Sequence, residues 1–321
     1  MNMAAYFASL NPANLLKGIP GSVAQGLIWG LMALGVFITF RLMDFADMTV
    51  DGSFATGGAC AAILILSGWS AEAALLAAVA AGVLAGTVTG LLHTRLGIPA
   101  ILAGILTQFA LYSINLHIMG GFKGTANLSI NPDQYRLLIS LRNIPGAILT
   151  GILEAVVIVA VLYWYFGTEQ GSAIRATGSN PAMSRAQGIN TDTMKVLGLA
   201  ISNGLVSLAG GLMAQYQGFS DINMGRGSIV IGLAAVIIGE VLCDAVFRKR
   251  ANFVVHLAFI VIGGVTYYLV VGVVLWLRLP SNDLKLFTAV VVAVFLAVPY
   301  LQAQSRRSFK PVRTKGAERH A

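Results

Sequence analysis

Three aspartates, Asp44, Asp47 and Asp51, lie within eight residues in the stretch RLMDFADMTVDGSFATGGA, at the junction of two apolar runs. If this stretch were helical, the three carboxylates would share one face. Carboxylates in a membrane are energetically costly, so they usually face a transport pathway, a partner or a cation. Together with the hydroxyls of Thr49 and Ser53, they are expected to contribute polar groups to a pathway.

The same residues also suit a structural role. Asp51 would then cap the helix that follows it, because a carboxylate at an amino terminus satisfies free amides and favours the positive end of the helix dipole. Gly52 would allow the chain to bend, and Ser53 could cap the continuing helix. Both interpretations predict a discontinuity between Asp44 and Ser53.

The composition predicts a polytopic membrane protein. Hydrophobic residues make up 57% of the 321 residues and charged residues 11%, whereas soluble proteins carry about 25% charged residues. Apolar runs that can cross a hydrocarbon core of roughly 30 Å predict an all-α, polytopic transmembrane helical bundle of about 8–10 spans with discontinuous helices. The nine runs lie at residues 21–40, 53–67, 71–92, 96–119, 146–166, 196–219, 229–247, 254–277 and 286–301.

Lys and Arg residues predict the orientation, because cytoplasmic loops carry an excess of them. If the polar stretch 167–195 is cytoplasmic, 14 of the 21 Lys and Arg residues fall on that side and 7 on the other. This assignment leaves the N-terminus outside and the C-terminus inside. We expect an interfacial segment at residues 1–20, a transmembrane domain at 21–302 and a basic cytoplasmic tail at 303–321.

The polar stretch 167–195 contains a predicted short helix. Asn180 followed by Pro181 is typical of an N-cap and a first helical turn, and Gly188 suits a left-handed stop about two turns later. The helix predicted at residues 181–187 is too short to be stable alone, so something outside it must hold it. The residues expected at its surface include Met183, Ser184 and Arg185.

Two of the runs carry patterned faces. Gly82, Gly86 and Gly90 recur at four-residue spacing, which predicts close contact with another helix. The run at 96–119 has a polar face that should not meet lipid, and its Gln108 and Asn115 join the expected pathway residues. That face carries Gln108, Tyr112 and Asn115.

A short internal repeat aligns MTVDGS at residues 48–53 with MGRGS at 224–228. Each motif follows a span and precedes an apolar run of small residues. Paired broken elements of this kind form pathways in many transporters, because unwound backbone within a membrane is tolerated only where it lines a cavity.

No catalytic residues, metal ligands or cofactor site are predicted on this chain. It has no GxxxxGK[ST] phosphate loop, and its four histidines lack ligand spacing. Cys60 and Cys243 lie in apolar runs and suit packing. The net charge of +8 is dispersed along the chain, so we expect no nucleic-acid binding. ATP hydrolysis would need a separate subunit.

Three blocks resemble a known family. The run AIRATGSNPAMSRAQGIN, followed by VLGLAISNGLVSLAGGL, is similar to the cytoplasmic coupling loop of bacterial ABC-importer permeases for branched-chain amino acids and sugars. RLMDFADMTVDGSFATGGA resembles the early signature of a related subgroup assigned to tryptophan or tyrosine uptake. GRGSIVIGLAAVIIGE follows in the expected order, and the resemblance covers roughly residues 25–240.

The resemblance implies the membrane-spanning permease subunit of an ATP-driven importer in the bacterial inner membrane, which moves a small polar solute such as an amino acid. It implies a homodimer of permeases with ABC ATPase subunits at the cytoplasmic loop and an extracytoplasmic substrate-binding protein. The short helix would then contact the ATPase. Seven residues are expected to couple the two: Asn180, Pro181, Met183, Ser184, Arg185, Gln187 and Gly188.

Two other classes of function remain open. In an ion-coupled secondary transporter, Asp44, Asp47 and Asp51 would bind the coupling ion. That class leaves the capped cytoplasmic helix without a purpose. A membrane scaffold or channel would explain the spans but neither the acids nor the loop.

Overall fold

The computed structural model describes residues 12–120, 125–247 and 251–277. It also describes the helical positions 286, 289, 290, 293, 294 and 297. These residues form ten α-helices, one π-helix and a two-stranded sheet, which confirms the predicted all-α bundle. The helices are α1 (Pro12–Phe37), continued by the π-helix (Ile38–Leu42), α2 (Val50–Leu66), α3 (Ala71–Thr94), α4 (Ala100–Gly120), α5 (Ile144–Gly167), α6 (Glu169–Ser179), α7 (Pro181–Ala186), α8 (Thr191–Gln217), α9 (Ser228–Phe247) and α10 (Phe253–Trp276). The strands are β1 (Asn127–Ser129) and β2 (Phe219–Asp221), which pair antiparallel.

Among the described residues, seven helices are long and apolar enough to cross a membrane, and α2 is a shorter apolar helix. Seven of the first eight predicted spans match these helices to within five residues, whereas α1 begins nine residues before the first predicted span, 21–40. The ninth, at 286–301, falls mostly outside the described residues. Because α1 begins at Pro12, residues 12–20 are helical and continuous with the first predicted span. Residues 1–11 and the tail at 303–321 also lie outside the described residues.

Side-chain caps begin five of the helices. In each case the capping oxygen accepts a hydrogen bond from the backbone N–H three residues later, which satisfies one of the free amides of the first turn. The caps are Ser70 for α3, Asn143 for α5, Thr168 for α6, Asn180 for α7 and Asn190 for α8.

The bundle has three central helices, α1, α2 and α8. α8 packs along α2 and α3, while α1 packs along α9 and α10. α5 lies at the periphery: 17% of its most apolar window is buried, compared with 83% for the window of α1. An apolar helix with so little protein contact is suited to face lipid.

The glycine stripe of α3 faces α8, which confirms the predicted close contact. A Cβ atom added at Gly82 or Gly86 would collide with the backbone oxygen of Asn203 or Leu199, respectively. A Cβ at Gly90 would lie 2.9 Å from the Cα of Val196. The two helices can approach this closely only because these three positions lack a side chain.

Gly86→Leu is therefore expected to destabilise the fold by about 1–3 kcal/mol, the usual effect of overpacking. The measurement is thermal unfolding in detergent. Gly18→Leu is the matched control, because no atom lies within 4 Å of a Cβ at Gly18. Equal melting temperatures for the two variants would contradict the role assigned to the stripe.

Candidate functional site

The chain between α1 and α2 leaves regular α-helical geometry. The π-helix ends at Leu42, Asp44 has a left-handed φ of +50°, and α2 begins at Val50. Left-handed backbone is unfavourable for a residue with a side chain, and such strain often accompanies functional sites. The predicted discontinuity is confirmed. The three aspartates do not share a helical face, because no helix runs through Asp44 and Asp47.

The three carboxylates have different surroundings and do not converge on one site. Asp44 is exposed and Asp47 is fully buried, while Asp51 lies in the first turn of α2. No group of three His, Cys, Asp or Glu side chains that could hold a metal ion occurs among the described residues. The arrangement therefore does not support the ion-binding cluster of a secondary transporter.

Asp47 belongs to a buried polar network centred on Asn203 of α8. Its Oδ1 accepts a hydrogen bond from the Thr49 N–H at 2.9 Å, and its Oδ2 accepts one from the Asn203 Nδ2 at 2.7 Å. The Ser53 hydroxyl donates to the Asn203 Oδ1 at 2.6 Å. Ser53 therefore links two helices, and the expectation that it caps α2 is wrong. Asn203 is a residue that the sequence analysis missed, although it is a polar residue within an apolar span.

Thr49 connects this network to two further helices. Its hydroxyl lies 2.7 Å from that of Thr89 on α3, which in turn donates to the Thr107 hydroxyl of α4 at 2.9 Å. All three threonines are buried. The network thus ties the break before α2 to α3, α4 and α8.

Asp51 caps a distant helix rather than its own. Its Oδ2 accepts a hydrogen bond from the Gly227 N–H at 2.9 Å. Its Oδ1 accepts from the Ser228 hydroxyl at 2.8 Å and from the Ile229 N–H at 3.0 Å. These donors surround the start of α9. The predicted capping chemistry is therefore present, but the helix that receives it is α9 and not α2.

The start of α9 lies deep within the bundle. Glu240, twelve residues after Ser228, forms a 2.8 Å ion pair with the exposed Arg41 at the end of the π-helix. A rise of 1.5 Å per residue places Ser228 about 18 Å from that ion pair along α9. Ser228 and Ile229 are both buried, so the segment 218–227, which leads from α8 to α9, ends inside the bundle.

The two repeat motifs contact each other at this depth. One motif leads into α2 and the other into α9. Gly225 packs against the backbone oxygen of Asp51, where a Cβ atom would collide. Gly227, whose φ of +84° suits only glycine, donates to the Asp51 carboxylate. The motifs thus form a pair of broken elements inside the bundle, the arrangement found around many transport pathways.

A cavity of about 300 Å³ adjoins the paired breaks, between α2, α4 and the segment 218–227. Gln108 and Asn115, both predicted pathway residues, line it. Asp44, Asp47, Thr49 and Ser53 do not line it. The complete lining consists of Gly52, Ala55, Gln108, Phe109, Tyr112, Asn115, Ile222 and Arg226.

Gly52 does not bend the chain, because it lies within regular α2. It instead brings α2 close to α4: a Cβ at this position would lie 3.2 Å from the Gln108 Cα. Arg226, which was not among the expected pathway residues, is the cationic residue of the cavity lining. The sequence signal for it was its position inside the second repeat motif.

The predicted short helix is confirmed as α7. Asn180 accepts from the Met183 N–H at 3.0 Å, Pro181 is the first helical residue, Gln187 is the C-cap, and Gly188 has a φ of +83°. Among the expected surface residues, Met183 is 62% exposed.

Ser184 and Arg185 bind their own chain. Ser184 is buried and its hydroxyl donates to the Asn180 carbonyl at 3.0 Å, so its expected exposure is wrong. The Arg185 Nε donates to the Thr191 hydroxyl at 2.8 Å, and its guanidinium lies 3.6 Å from the Asp192 carboxylate. These contacts explain how so short a helix remains folded: it is held against the start of α8.

The sequence analysis missed α6, because the polar stretch 167–195 was interpreted as a loop containing one helix. Arg175 anchors α6 by donating to the Phe166 carbonyl at 2.9 Å and by lying over the Phe253 ring. Gly178 of α6 packs against Leu42 and Met43, so closely that a Cβ atom would collide with their backbone. The helix next to α7 therefore contacts the chain just before the break at Asp44. The Thr168 cap was the sequence signal.

A family model described as branched-chain amino acid transport system, permease component, matches residues 19–299. The chain belongs to this permease family. The match covers both broken elements and the α6–α7 surface. The permease is thus a multi-pass membrane transport subunit of the ABC-importer type, and the predicted family and function are confirmed at this level.

Individual relatives differ in their stated substrates. The permease is 37% identical over 297 residues to a tyrosine transport system permease protein of Clostridioides difficile, covering 91% of this chain and 95% of the relative. It is 31% identical over 277 residues to an uncharacterized protein of Rickettsia prowazekii, covering 86% and 95%. The ribose import permease protein RbsC of Escherichia coli is 27% identical over 235 residues, covering 73% and 70%. No solved structure gives a significant match.

Asp51→Asn is expected to lower the stability of the permease by about 1.5–3 kcal/mol, the usual contribution of hydrogen bonds to a charged group. The amide retains one acceptor oxygen but presents N–H groups to donors at the start of α9. Thermal unfolding in detergent measures the effect. Asp44→Asn is the control, since Asp44 is exposed and asparagine tolerates its left-handed backbone. An Asp51→Asn variant as stable as Asp44→Asn would contradict the capping role.

Thiol labelling separates the cavity from the buried network. In a Cys60→Ala, Cys243→Ala background, Gln108→Cys is expected to react with a small water-soluble thiol reagent. Thr49→Cys should remain unreactive, because Thr49 is fully buried. Equal labelling rates at the two positions would show that the network, and not only the cavity, is open to water.

Proposed function

We propose that this permease forms the membrane pathway of an ATP-driven importer for an amino acid in the bacterial inner membrane. The observation that carries the proposal is the cavity beside two broken elements that meet deep in the bundle. Discontinuous helices place free backbone groups and side chains where a solute can reach them. An amino acid is favoured over a sugar because the tyrosine permease relative is more similar, over more of the chain, than the ribose permease.

The proposed orientation places the α6–α7 surface and the C-terminus in the cytoplasm. The contacts of the structure are consistent with it: the Arg41–Glu240 pair joins the end of the π-helix to the C-terminal half of α9. On the opposite side, β1 and β2 join the chain after α4 to the chain after α8. The excess of Lys and Arg then falls on the cytoplasmic side.

A homodimer would enclose the cavity. Its outer wall includes Phe109 of α4, which is 70% exposed, and the exposed Arg226. A cation and amide groups at this depth are costly against lipid, so they need water or protein next to them. A second copy of the permease, placed against this face of α4, would convert an open cavity into a pathway between subunits.

The proposed ATPase site is the α6–α7 surface. Met183 presents an exposed, flexible apolar side chain that suits a groove on a partner. The preceding helix, α6, contacts Met43 through Gly178. Met43 also packs against Gly198 of α8. A displacement of α6 by an ATPase would thus reach the chain before the break directly. A substrate-binding protein would act at the opposite face.

Met183→Asp is expected to reduce substrate-stimulated ATP hydrolysis severalfold without unfolding the permease, because a charge replaces an exposed apolar contact. Hydrolysis and uptake are measured on the reconstituted complex. Met183→Leu, which keeps an apolar side chain of similar volume at this position, is the control. Unchanged stimulation in Met183→Asp would remove this residue from the ATPase contact.

The proposed function is tested by purifying the permease from its native membranes and then measuring uptake in proteoliposomes. A copurifying nucleotide-binding subunit and ATP-dependent uptake of labelled L-tyrosine or L-leucine are expected. Uptake of D-ribose in place of amino acids would contradict the substrate class. Absence of a nucleotide-binding subunit, or uptake driven by an ion gradient without ATP, would contradict the ATP-driven mechanism.

A further inference from the structure

The cavity lined by α2, α4 and the segment 218–227 contains two polar groups that the protein leaves without a partner. Arg226 forms no ion pair within the described part of the chain. The Oδ1 of Asn115 is buried and accepts no hydrogen bond, although Asn115 itself is only 1% exposed. Buried polar atoms are nearly always paired, so an orphan acceptor at a cavity indicates a missing partner.

The backbone on both sides of Arg226 is fixed. Its own N–H donates to the Asn223 carbonyl at 3.0 Å, and the next residue, Gly227, donates to the Asp51 carboxylate. Gly225, on the other side, packs against the Asp51 backbone. Arg226 is therefore presented from a pinned segment and not from a free surface loop. Such preorganisation favours a specific contact over a general electrostatic one.

Asp51 does not neutralise Arg226. The two Asp51 oxygens accept three hydrogen bonds from the start of α9, and no ion pair within 4.0 Å joins Asp51 to Arg226. A guanidinium without a carboxylate partner attracts a planar anion, and carboxylates match its paired donors. The cavity therefore offers a carboxylate site at Arg226.

Asn115 offers the complementary chemistry. A free amide oxygen needs an N–H or O–H donor, and an ammonium group supplies a charge-assisted one. Phe109 and Tyr112 supply aromatic surface to the same lining, and Gly52 and Ala55 are its smallest residues. A volume of about 300 Å³ is at the lower limit for small-molecule pockets and suits one small solute.

We propose that this cavity binds an α-amino acid as its zwitterion, with Arg226 binding the carboxylate and the Asn115 Oδ1 accepting a hydrogen bond from the ammonium group. The aromatic wall then favours an apolar or aromatic side chain. This inference rests on the proposed function for its substrate class, but it adds that the permease itself recognises the solute. Selectivity is then not left entirely to a separate binding protein.

Direct binding tests the proposal without ATP or partner proteins. The full-length permease is placed in nanodiscs, and labelled L-tyrosine is displaced by three probes: tyramine, which lacks the carboxylate, 3-(4-hydroxyphenyl)propanoate, which lacks the ammonium group, and D-ribose. The unsubstituted permease is expected to prefer L-tyrosine to each analogue by roughly 10- to 100-fold, the factor associated with one charge-assisted hydrogen bond. D-ribose should not compete.

Two variants assign the two groups. Arg226→Gln should abolish the preference over tyramine and keep the preference over the propanoate. Asn115→Leu should abolish the preference over the propanoate and keep the preference over tyramine. Arg226→Lys, which keeps the charge without the paired donors, should show an intermediate preference. If either residue had only a structural role, its substitution would weaken the binding of all probes equally.

Matched controls are Arg142→Gln, an exposed arginine that pairs with Asp133, and Asn14→Leu, an exposed asparagine near the start of α1. Both should bind L-tyrosine and the probes like the unsubstituted permease. Thermal unfolding of all variants checks that each one is folded. Equal binding of L-tyrosine and tyramine by the unsubstituted permease, competition by D-ribose, or no binding of any probe would overturn the proposal. ATP-dependent amino-acid uptake that persists unchanged in both variants would overturn it while leaving the proposed function intact.

Discussion

The carboxylate of Asp51 holds the amino end of α9 inside the bundle, and the geometry of both broken elements depends on that contact. Free N–H groups at a helix start cannot be left unpaired away from water. Asp51 satisfies the N–H groups of Gly227 and Ile229 and the hydroxyl of Ser228. Its charge also favours the positive end of the α9 dipole. One side chain thus allows α9 to begin deep in the bundle and joins the two repeat motifs.

The buried network around Asn203 fixes the position of α2, the helix that contributes Gly52 and Ala55 to the cavity lining. Every Asp47 oxygen has a donor, and the hydroxyls of Ser53 and Thr49 connect α2 to its neighbours. Close glycine contacts support the same packing, as at Gly57 against Ser207 and Gly210 against Phe54. Because a satisfied buried network strongly resists rearrangement, the open space remains on the α4 side, where Gln108, Asn115 and Arg226 line the cavity.

Helices α6 and α7 connect to this region through packed contacts and not through a flexible linker. α7 is held by Arg185 against α8, and α6 packs against Leu42 and Met43 through Gly178. Met43 precedes the strained residue Asp44. Close-packed elements transmit displacement because they cannot be compressed. The exposed Met183 and the break before α2 thus lie at the two ends of one continuous set of contacts.

Local patterns in the sequence determined eight apolar helices, the caps of α7, the glycine contact of α3 and the polar face of α4. Each of these depends on residues within a few turns of one another: apolar length, a capping side chain or four-residue spacing. The discontinuity at Asp44 was also predictable, since charged residues interrupt an apolar run there. α6 was not predicted, because its polar sequence lacks the apolar periodicity that identifies a helix.

The sequence by itself therefore determined that this is a polytopic permease with a break near Asp47 and a short capped helix at Pro181. Only the tertiary structure decided that Asp51 caps α9, that Ser184 faces inward and that Arg226 joins the cavity. The Asp51–Gly227 and Asp47–Asn203 contacts span 176 and 156 residues. A carboxylate has the same capping and pairing chemistry with any suitable donor, so its partner is fixed only when helix packing brings one donor within hydrogen-bonding distance.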